Sequence, residues 1–302
     1  MNLPPEFISN IEGGFGEAGR EFLAQLPASI EAASQRWGLT DVQPVPTLSY
    51  NFVAFAKRGA EQVALKMGVP DRELKSEMAT LRLFNGQGAC RLIDCDEEKY
   101  WMLLERLNPG VMLLTLEDDE EATHIAAEVM QKIWRPAPEE DVFIRLSDWF
   151  DGLKRLHATF NGGTGPFNAK LVERVERSVK DFLIENQKPV LMHGDFHHYN
   201  ILSSERGWLV IDPKGVSGPA GYEVGPFLLN PWGDLLKLED HRRMTERRLA
   251  ILHEHLGFER ERLREWGLAH AILSAWWSFE SHTEWHYAAA FAEMIADLPL
   301  DS

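Results

Sequence analysis

The sequence is short of cysteine, with two in 302 residues, Cys90 and Cys95. Two thiols build no disulfide scaffold, and one C-x4-C spacing without a second pair is a poor zinc signature. They read as reduced, mostly buried thiols of a cytoplasmic protein. Long apolar runs are also missing. No segment approaches the roughly 18 uninterrupted apolar residues of a membrane span, so none is expected. The start, MNLPPEFISNIEGG, lacks a basic stretch followed by an apolar one, so no signal peptide is expected. Positive charge is in deficit: 31 Lys and Arg stand against 47 Asp and Glu, a formal net charge of −16. That balance excludes a sequence-independent nucleic-acid binder and docking on anionic membranes. Repeats and low-complexity tracts are absent.

What is present is a chain that can bury a core. Apolar residues make up 44 %, with 10 Trp and 16 Phe, so this is no disordered acidic tail. The length corresponds to about two domains. The first third reads as a small mixed unit. A helix is expected over Ala28–Trp37, then strands over Val45–Ala56 and Gln62–Met67. Asp71 caps a helix carrying Leu74, Met78 and Leu81 at helical spacing. Two further strands are expected at Ala89–Cys95 and Tyr100–Leu107, and Asn108-Pro109-Gly110 breaks the pattern. Beyond it the chain is mainly helical. Helices are expected at Glu120–Trp134, Leu146–Phe160, Ala169–Glu185 and three near 239–255, 260–280 and 285–297. Short strands interrupt them at Val190–Met192, Ile201–Leu202 and Trp208–Ile211. The expected class is α+β with two lobes, a nucleotide-binding lobe over 1–106 and a catalytic and substrate lobe over 107–302.

The dense polar cluster is HGDFHHYNIL followed by WLVIDPKG. It presents His193, Asp195, Asn200 and Asp212. Phosphoryl transfer needs a carboxylate to orient a hydroxyl and oxygen ligands to hold Mg²⁺ on phosphates. An Asp, an amide five residues on, and a second Asp after a hairpin supply those groups. Protein kinases use the same spacing in H-R-D-x4-N and D-F-G. Any one piece alone reads as a turn or a cap; the combination carries the reading. His197 and His198 read as local polar contacts. A rival arrangement, a metal hydrolase with His193, Asp195, His197 and Asp212 around two metals, leaves Asn200 and the first lobe unexplained.

The first lobe supplies the complement. VALK places Lys66 at a strand end, where it would pair with α/β-phosphates. Glu77 shares the apolar face of the following helix and is its expected partner; Glu73, one turn earlier, is the alternative. Backbone groups from Glu105 to Leu107 are candidates for the adenine edge. Gly14-Phe15-Gly16-Glu17-Ala18-Gly19 fits G-x-G-x-x-G but follows no strand, so it is set aside as a phosphate loop. Ser49, Tyr50 and Asn51, between two strands, are the better candidates over the phosphates.

Over nearly its whole length the chain resembles the aminoglycoside/hydroxyurea antibiotic-resistance kinases, the streptomycin 6-kinase group of the aminoglycoside phosphotransferase superfamily. GEAGREFLAQLP, LLERLNPG, HGDFHHYNIL, IDPKGVSGPAGYEVGPFLLNP and LAHAILSAWWSFE carry the likeness. It implies a bilobal, protein-kinase-like fold and ATP-dependent, Mg²⁺-assisted phosphorylation of a small-molecule hydroxyl. The catalytic Asp, the metal-binding Asn and Asp, and the strand Lys then fall on Asp195, Asn200, Asp212 and Lys66. A streptomycin-like acceptor is cationic, so an acidic pocket is expected. Candidates are Glu223, Asp234, Glu280 and Glu284, with Trp277 three residues before Glu280 offering an aromatic face. Trp266, His270, Leu273, Trp276 and Trp277 form a helical stripe that reads as core. The alternatives are a kinase of an ordinary metabolite and a non-catalytic nucleotide-binding protein of the same fold.

Overall fold

The computed structural model describes residues 3–184, 188–231 and 238–299. The chain opens with α1 (Pro5–Trp37), longer than expected from its sequence. Proline in the first turn favours the start, and Gly38, left-handed at φ 62°, closes the helix by donating its N–H to the Ser34 carbonyl. The glycine-rich GFGEAG stretch lies inside this helix at a kink, where Gly16 has φ 57°. Its low helix propensity hid the first half from the sequence reading; packing overrides it, because Phe7 and Ile11 are buried together with Leu26, Ile30 and Trp37.

Next come β1 (Leu39–Pro44), β2 (Phe52–Arg58), β3 (Glu61–Met67), α2 (Arg72–Phe84), β4 (Leu92–Asp96) and β5 (Trp101–Glu105). The strand expected over Val45–Ala56 is thus a connection followed by β2, and β1 precedes it; Pro44 and Pro46 punctuate the stretch. The five strands form one antiparallel sheet in the order β1-β2-β3-β5-β4. Side chains alternate between its faces. Phe52, Ala54, Ala56, Val63, Leu65 and Leu103 pack under α1. The register pairs Val53 with Lys66, Phe55 with Ala64, Lys66 with Met102 and Ala64 with Leu104, which puts these residues on the opposite face. Ala64, Met102 and Leu104 belong to the large core that continues through the rest of the molecule. As expected, Asp71 caps α2, accepting the Leu74 N–H at 2.7 Å.

The remainder is mainly helical: α3 (Asp119–Ile133), α4 (Leu146–Phe150), α5 (Gly152–Thr159), α6 (Ala169–Ile184), α7 (Val224–Leu229), α8 (Leu238–Leu256), α9 (Arg260–Glu280) and α10 (His286–Ala296). The helix expected over Leu146–Phe160 is broken at Asp151. Two small sheets position the polar loops. In one, β6 (Pro109–Met112) pairs with β10 (Ile201–Ser204), which pairs with β11 (Gly207–Val210). In the other, β12 (Val216–Gly218) lies between β9 (Val190–Met192) and β8 (Ile144–Arg145), with β7 (Arg135–Pro136) beyond β9. Trp266, His270, Leu273 and Trp276 are buried, so most of the stripe on α9 is core, while Trp277 at its end is half-buried. Cys90 and Cys95 are free thiols; Cys90 is buried, and burial pushes its pKa up. Among the described residues no helix is long and apolar enough to cross a membrane.

Candidate active site

Lys66 lies next to the end of β3 on the face turned from α1, and its side chain is 2 % exposed. A buried ammonium must be paired. Its Nζ donates to Glu77 Oε1 at 2.7 Å and Oε2 at 2.8 Å, and lies 3.1 Å from Asp212 Oδ1. Burial alone would lower the Lys66 pKa; the Asp212 and Glu77 carboxylates outweigh it and hold the ammonium charged. The structure decides between the two expected partners. Glu77 takes Lys66, while Glu73, one turn earlier, pairs with Lys214 at 2.7 Å.

Antiparallel geometry brings the downstream residues together. The β10–β11 hairpin pairs Ile201 with Val210, so Asn200 and Ile211 face each other and the Ile211 N–H donates to the Asn200 carbonyl at 3.0 Å. Asn200 and Asp212 therefore sit at one end of the hairpin. In the neighbouring sheet Met192 pairs with Val216, which sets His193–Asp195 beside Lys214 and Gly215. The His193 carbonyl accepts the Lys214 N–H at 2.7 Å. Gly215 has φ 69°, and the side-chain oxygens of Ser76 and Thr80 occupy the place of a Cβ, so α2 lies directly on this loop. Asp212 is itself left-handed at φ 57°. Aspartate and asparagine adopt this conformation more readily than other non-glycine residues.

The Asp195 and Asp212 side chains are 39 % and 40 % exposed. Burial pushes the Asp195 pKa upward, but His197 and Lys214 outweigh it and hold the carboxyl below the usual range. Asp212 is likewise held low against burial, chiefly by Lys66. His197 Nε2 lies 3.4 Å from Asp195 Oδ1 and 3.4 Å from the Asn200 amide nitrogen. The local polar contacts expected of His197 are thus made to the site residues themselves.

The rival two-metal arrangement fails on His193. Its Nδ1 accepts the Asp195 N–H at 3.1 Å and its Nε2 faces the Ile211 carbonyl at 2.8 Å. Both ring nitrogens are spent, and burial lowers the pKa to about 4, so the ring is neutral. Among the described residues no three His, Cys, Asp or Glu side chains gather as a metal site. Two oxygen donors fit Mg²⁺, which keeps waters and phosphate oxygens in its octahedron. Asp212 supplies a half-exposed carboxylate. Asn200 spends its amide nitrogen on the Asp195 carbonyl at 3.0 Å, which leaves its side-chain oxygen as the hard donor.

On the phosphate side, Ser49 is exposed and its carbonyl accepts from Asn10 at 3.4 Å. Asn51 packs its side-chain oxygen over Gly68 at the end of β3. Along the base edge, the Glu105 N–H is already donated to the Arg91 carbonyl at 2.9 Å. The Glu105 carboxylate accepts Arg206 Nε at 3.2 Å and the Arg91 N–H at 3.0 Å, bracing β5 against the hairpin. Leu107 is buried. Phe55, on the Lys66 face and 36 % exposed, carries the Arg106 guanidinium 4.0 Å from its ring centroid. Counting by two along β2 and β3 from Lys66 would have found Phe55 in the sequence.

The acceptor candidates fare unevenly. Glu223 is a correction. It is fully buried and accepts the His193 and Gly194 N–H groups at 2.7 and 2.8 Å, so it braces the turn before Asp195 and is closed to any acceptor. Burial raises its pKa to about 7. Glu280 is at the surface but forked onto Arg155 at 2.9 Å through both oxygens, so its charge is already matched. Trp277 is half-buried and stands edge-on to Trp149, ring centroids 5.2 Å apart. Trp149 in turn touches the space beside Gly194, next to Asp195. Glu284 caps α10, accepting the His286 N–H at 2.8 Å. Asp234 lies outside the described residues.

A five-stranded antiparallel sheet over a helical lobe, with a lysine, two carboxylates and an asparagine between them, defines a kinase-like phosphotransferase fold. A solved structure with this fold is a thermostable aminoglycoside phosphotransferase mutant in ternary complex with ADP and hygromycin B; it is 17 % identical, covers 90 % of this chain and 99 % of that one, and gives a TM-score of 0.61. The chain belongs to the aminoglycoside/hydroxyurea antibiotic resistance kinase family, whose profile matches residues 36–281. Among relatives, a streptomycin 6-kinase of Streptomyces glaucescens is 29 % identical over 284 residues, covering 93 % of this chain and 92 % of the relative. A hydroxyurea phosphotransferase of Kitasatospora aureofaciens is 29 % identical over 291 residues, covering 93 % and 81 %.

Proposed function

We propose that the chain is an ATP-dependent O-phosphotransferase that moves the γ-phosphate to a hydroxyl of a streptomycin-like aminoglycoside or a related small molecule. In this reading residues 1–106 form the nucleotide lobe and 107–302 the catalytic and acceptor lobe, and the enzyme works in the cytoplasm, where ATP is available. The observation that carries the reading is the buried Lys66 held by Glu77 and Asp212, with Asp195 and Asn200 beside it. A pre-charged lysine at the head of a cleft is the feature that a phosphate ligand requires.

Lys66 grips the α/β-phosphates and Glu77 keeps it in place. Asn200 and Asp212 would hold Mg²⁺, which would neutralise charge on the phosphate oxygens. Asp195 accepts a hydrogen bond from the acceptor hydroxyl and aims its oxygen at the γ-phosphorus. Because Asp195 is a weak base, its main role is orientation. The hydroxyl proton passes to it as the new O–P bond forms and the bond to the ADP oxygen breaks. Ser49, Asn51 and backbone groups at Leu107 and the Glu105 carbonyl complete the nucleotide side, with Phe55 and Arg106 at its rim. Trp277, beside Trp149, offers the acceptor an aromatic face. The family relatives named for streptomycin and hydroxyurea support a small-molecule hydroxyl acceptor.

The deciding experiment incubates the purified chain with Mg-ATP and separately with streptomycin, other cationic aminocyclitols, hydroxyurea and ordinary metabolites. Mass spectrometry should find one added phosphate on an aminocyclitol. Transfer to a metabolite alone moves the acceptor class; ATP binding without transfer to any acceptor overturns the enzymatic reading.

A further inference from the structure

Lys214 has no part in the mechanism above. It follows Asp212 by two residues, and its N–H is fixed on the His193 carbonyl at 2.7 Å. Its Nζ pairs with Glu73 Oε2 at 2.7 Å, yet the two side chains are 34 % and 48 % exposed. An ion pair this open to water is weakly held. Lys66 is the contrast: 2 % exposed, gripped by two carboxylates, and unable to leave them. The pairing of Met192 with Val216 sets this lysine beside His193–Asp195.

Asp195, Asp212, Glu73 and Glu77 stand against two ammoniums here, Lys66 and Lys214, and of the two only Lys214 is partly exposed. The proposed ligand is a polyanion. A phosphate carrying more than one negative charge competes for the ammonium with a single, partly exposed carboxylate, both contacts being charge-assisted. The exchange leaves Glu73 in water, so no buried charge is stranded. With the backbone held by His193 and by the packing of Gly215 on α2, only the side chain has to swing.

We propose that Lys214 is a second phosphate-binding lysine, whose ammonium leaves Glu73 for the terminal phosphate of the bound nucleotide beside Asp195. The inference rests on the nucleotide reading above and deepens it. Lys66 serves the phosphates shared by ATP and ADP; Lys214 reads the one that is transferred. No bond is made or broken in this step, only one ion pair exchanged for another.

The test is calorimetric titration of wild type, K214M and E73Q with Mg²⁺ and either ADP or a non-hydrolysable ATP analogue. K214M should bind the analogue about tenfold or more weakly, the size of one charge-assisted bond, and ADP less than about twofold more weakly. E73Q should bind the analogue about two- to threefold more tightly, with ADP unchanged. Equal losses for both nucleotides in K214M would mean that Lys214 merely braces α2 against the loop, and would overturn the proposal. So would no change in K214M, or an E73Q that binds the analogue no better. If K214M does not fold, E73Q decides alone. A wild type that binds neither nucleotide sinks the nucleotide reading and this one with it; a wild type that binds both, with K214M keeping their ratio, sinks only the Lys214 assignment.

Discussion

The two sides of the cleft are built on different principles. On the nucleotide side Lys66 and Glu77 are buried and bonded to each other through both carboxylate oxygens. On the proposed acceptor side Glu280, one of the charged candidates, is a surface residue already matched by Arg155, and Trp277 is half-buried against Trp149. In the proposed reading the phosphate wall is anchored in the core by paired charges, whereas the acceptor wall is made of surface and half-buried side chains.

The largest expected effect falls on neither wall but on the residue between them. Asp195→Asn should keep nucleotide affinity while turnover falls on the order of a thousandfold; turnover near that of wild type would remove Asp195 from the reaction. Next is the nucleotide wall itself. Lys66→Met strands Glu77 and should cost about 3–5 kcal/mol in denaturant unfolding, besides weakening nucleotide binding. A loss under about 1 kcal/mol would show that this wall is no more tightly coupled than the other.

The buried histidines behind the acceptor wall sharpen the contrast through pH. His270 faces the Tyr222 hydroxyl at 2.9 Å, and burial lowers its pKa to about 4 from 6.5. Between these values the unfolded chain takes up the proton and the folded chain does not. Its contribution to stability is therefore present above pH 6.5 and lost as pH falls toward 4. In that window wild type should lose stability faster than His270→Asn, by up to about 1.4 kcal/mol per pH unit. Parallel melting curves across that range would contradict the shift. The smallest effect is expected at Glu280→Gln, where a surface pair is lost for about 1 kcal/mol or less. A melting temperature several degrees lower would mean that the acceptor wall, too, is structural.

Much of this was legible beforehand. The Asp195, Asn200 and Asp212 spacing and the strand-end Lys66 are local patterns, and the α2 cap at Asp71 is a local rule. The first half of α1 was not legible, because its glycines disguise a helix that only packing on the sheet stabilises. Nor was the fate of Glu223: nothing in GYEVG separates an exposed acid from one buried under two backbone N–H groups. Phe55 was within reach of simple counting.

By itself the sequence determined which chemical groups exist and how far apart they lie along the chain, because strand periodicity, capping and motif spacing are local properties. Only the tertiary structure decided which carboxylate faces which cation. Glu77 and Glu73 are one helical turn apart on α2, and the choice between Lys66 and Lys214 is made by the sheet on one side and the Asp212–Gly215 loop on the other. Pairing energies depend on burial and distance, and both are set by residues far apart in the chain.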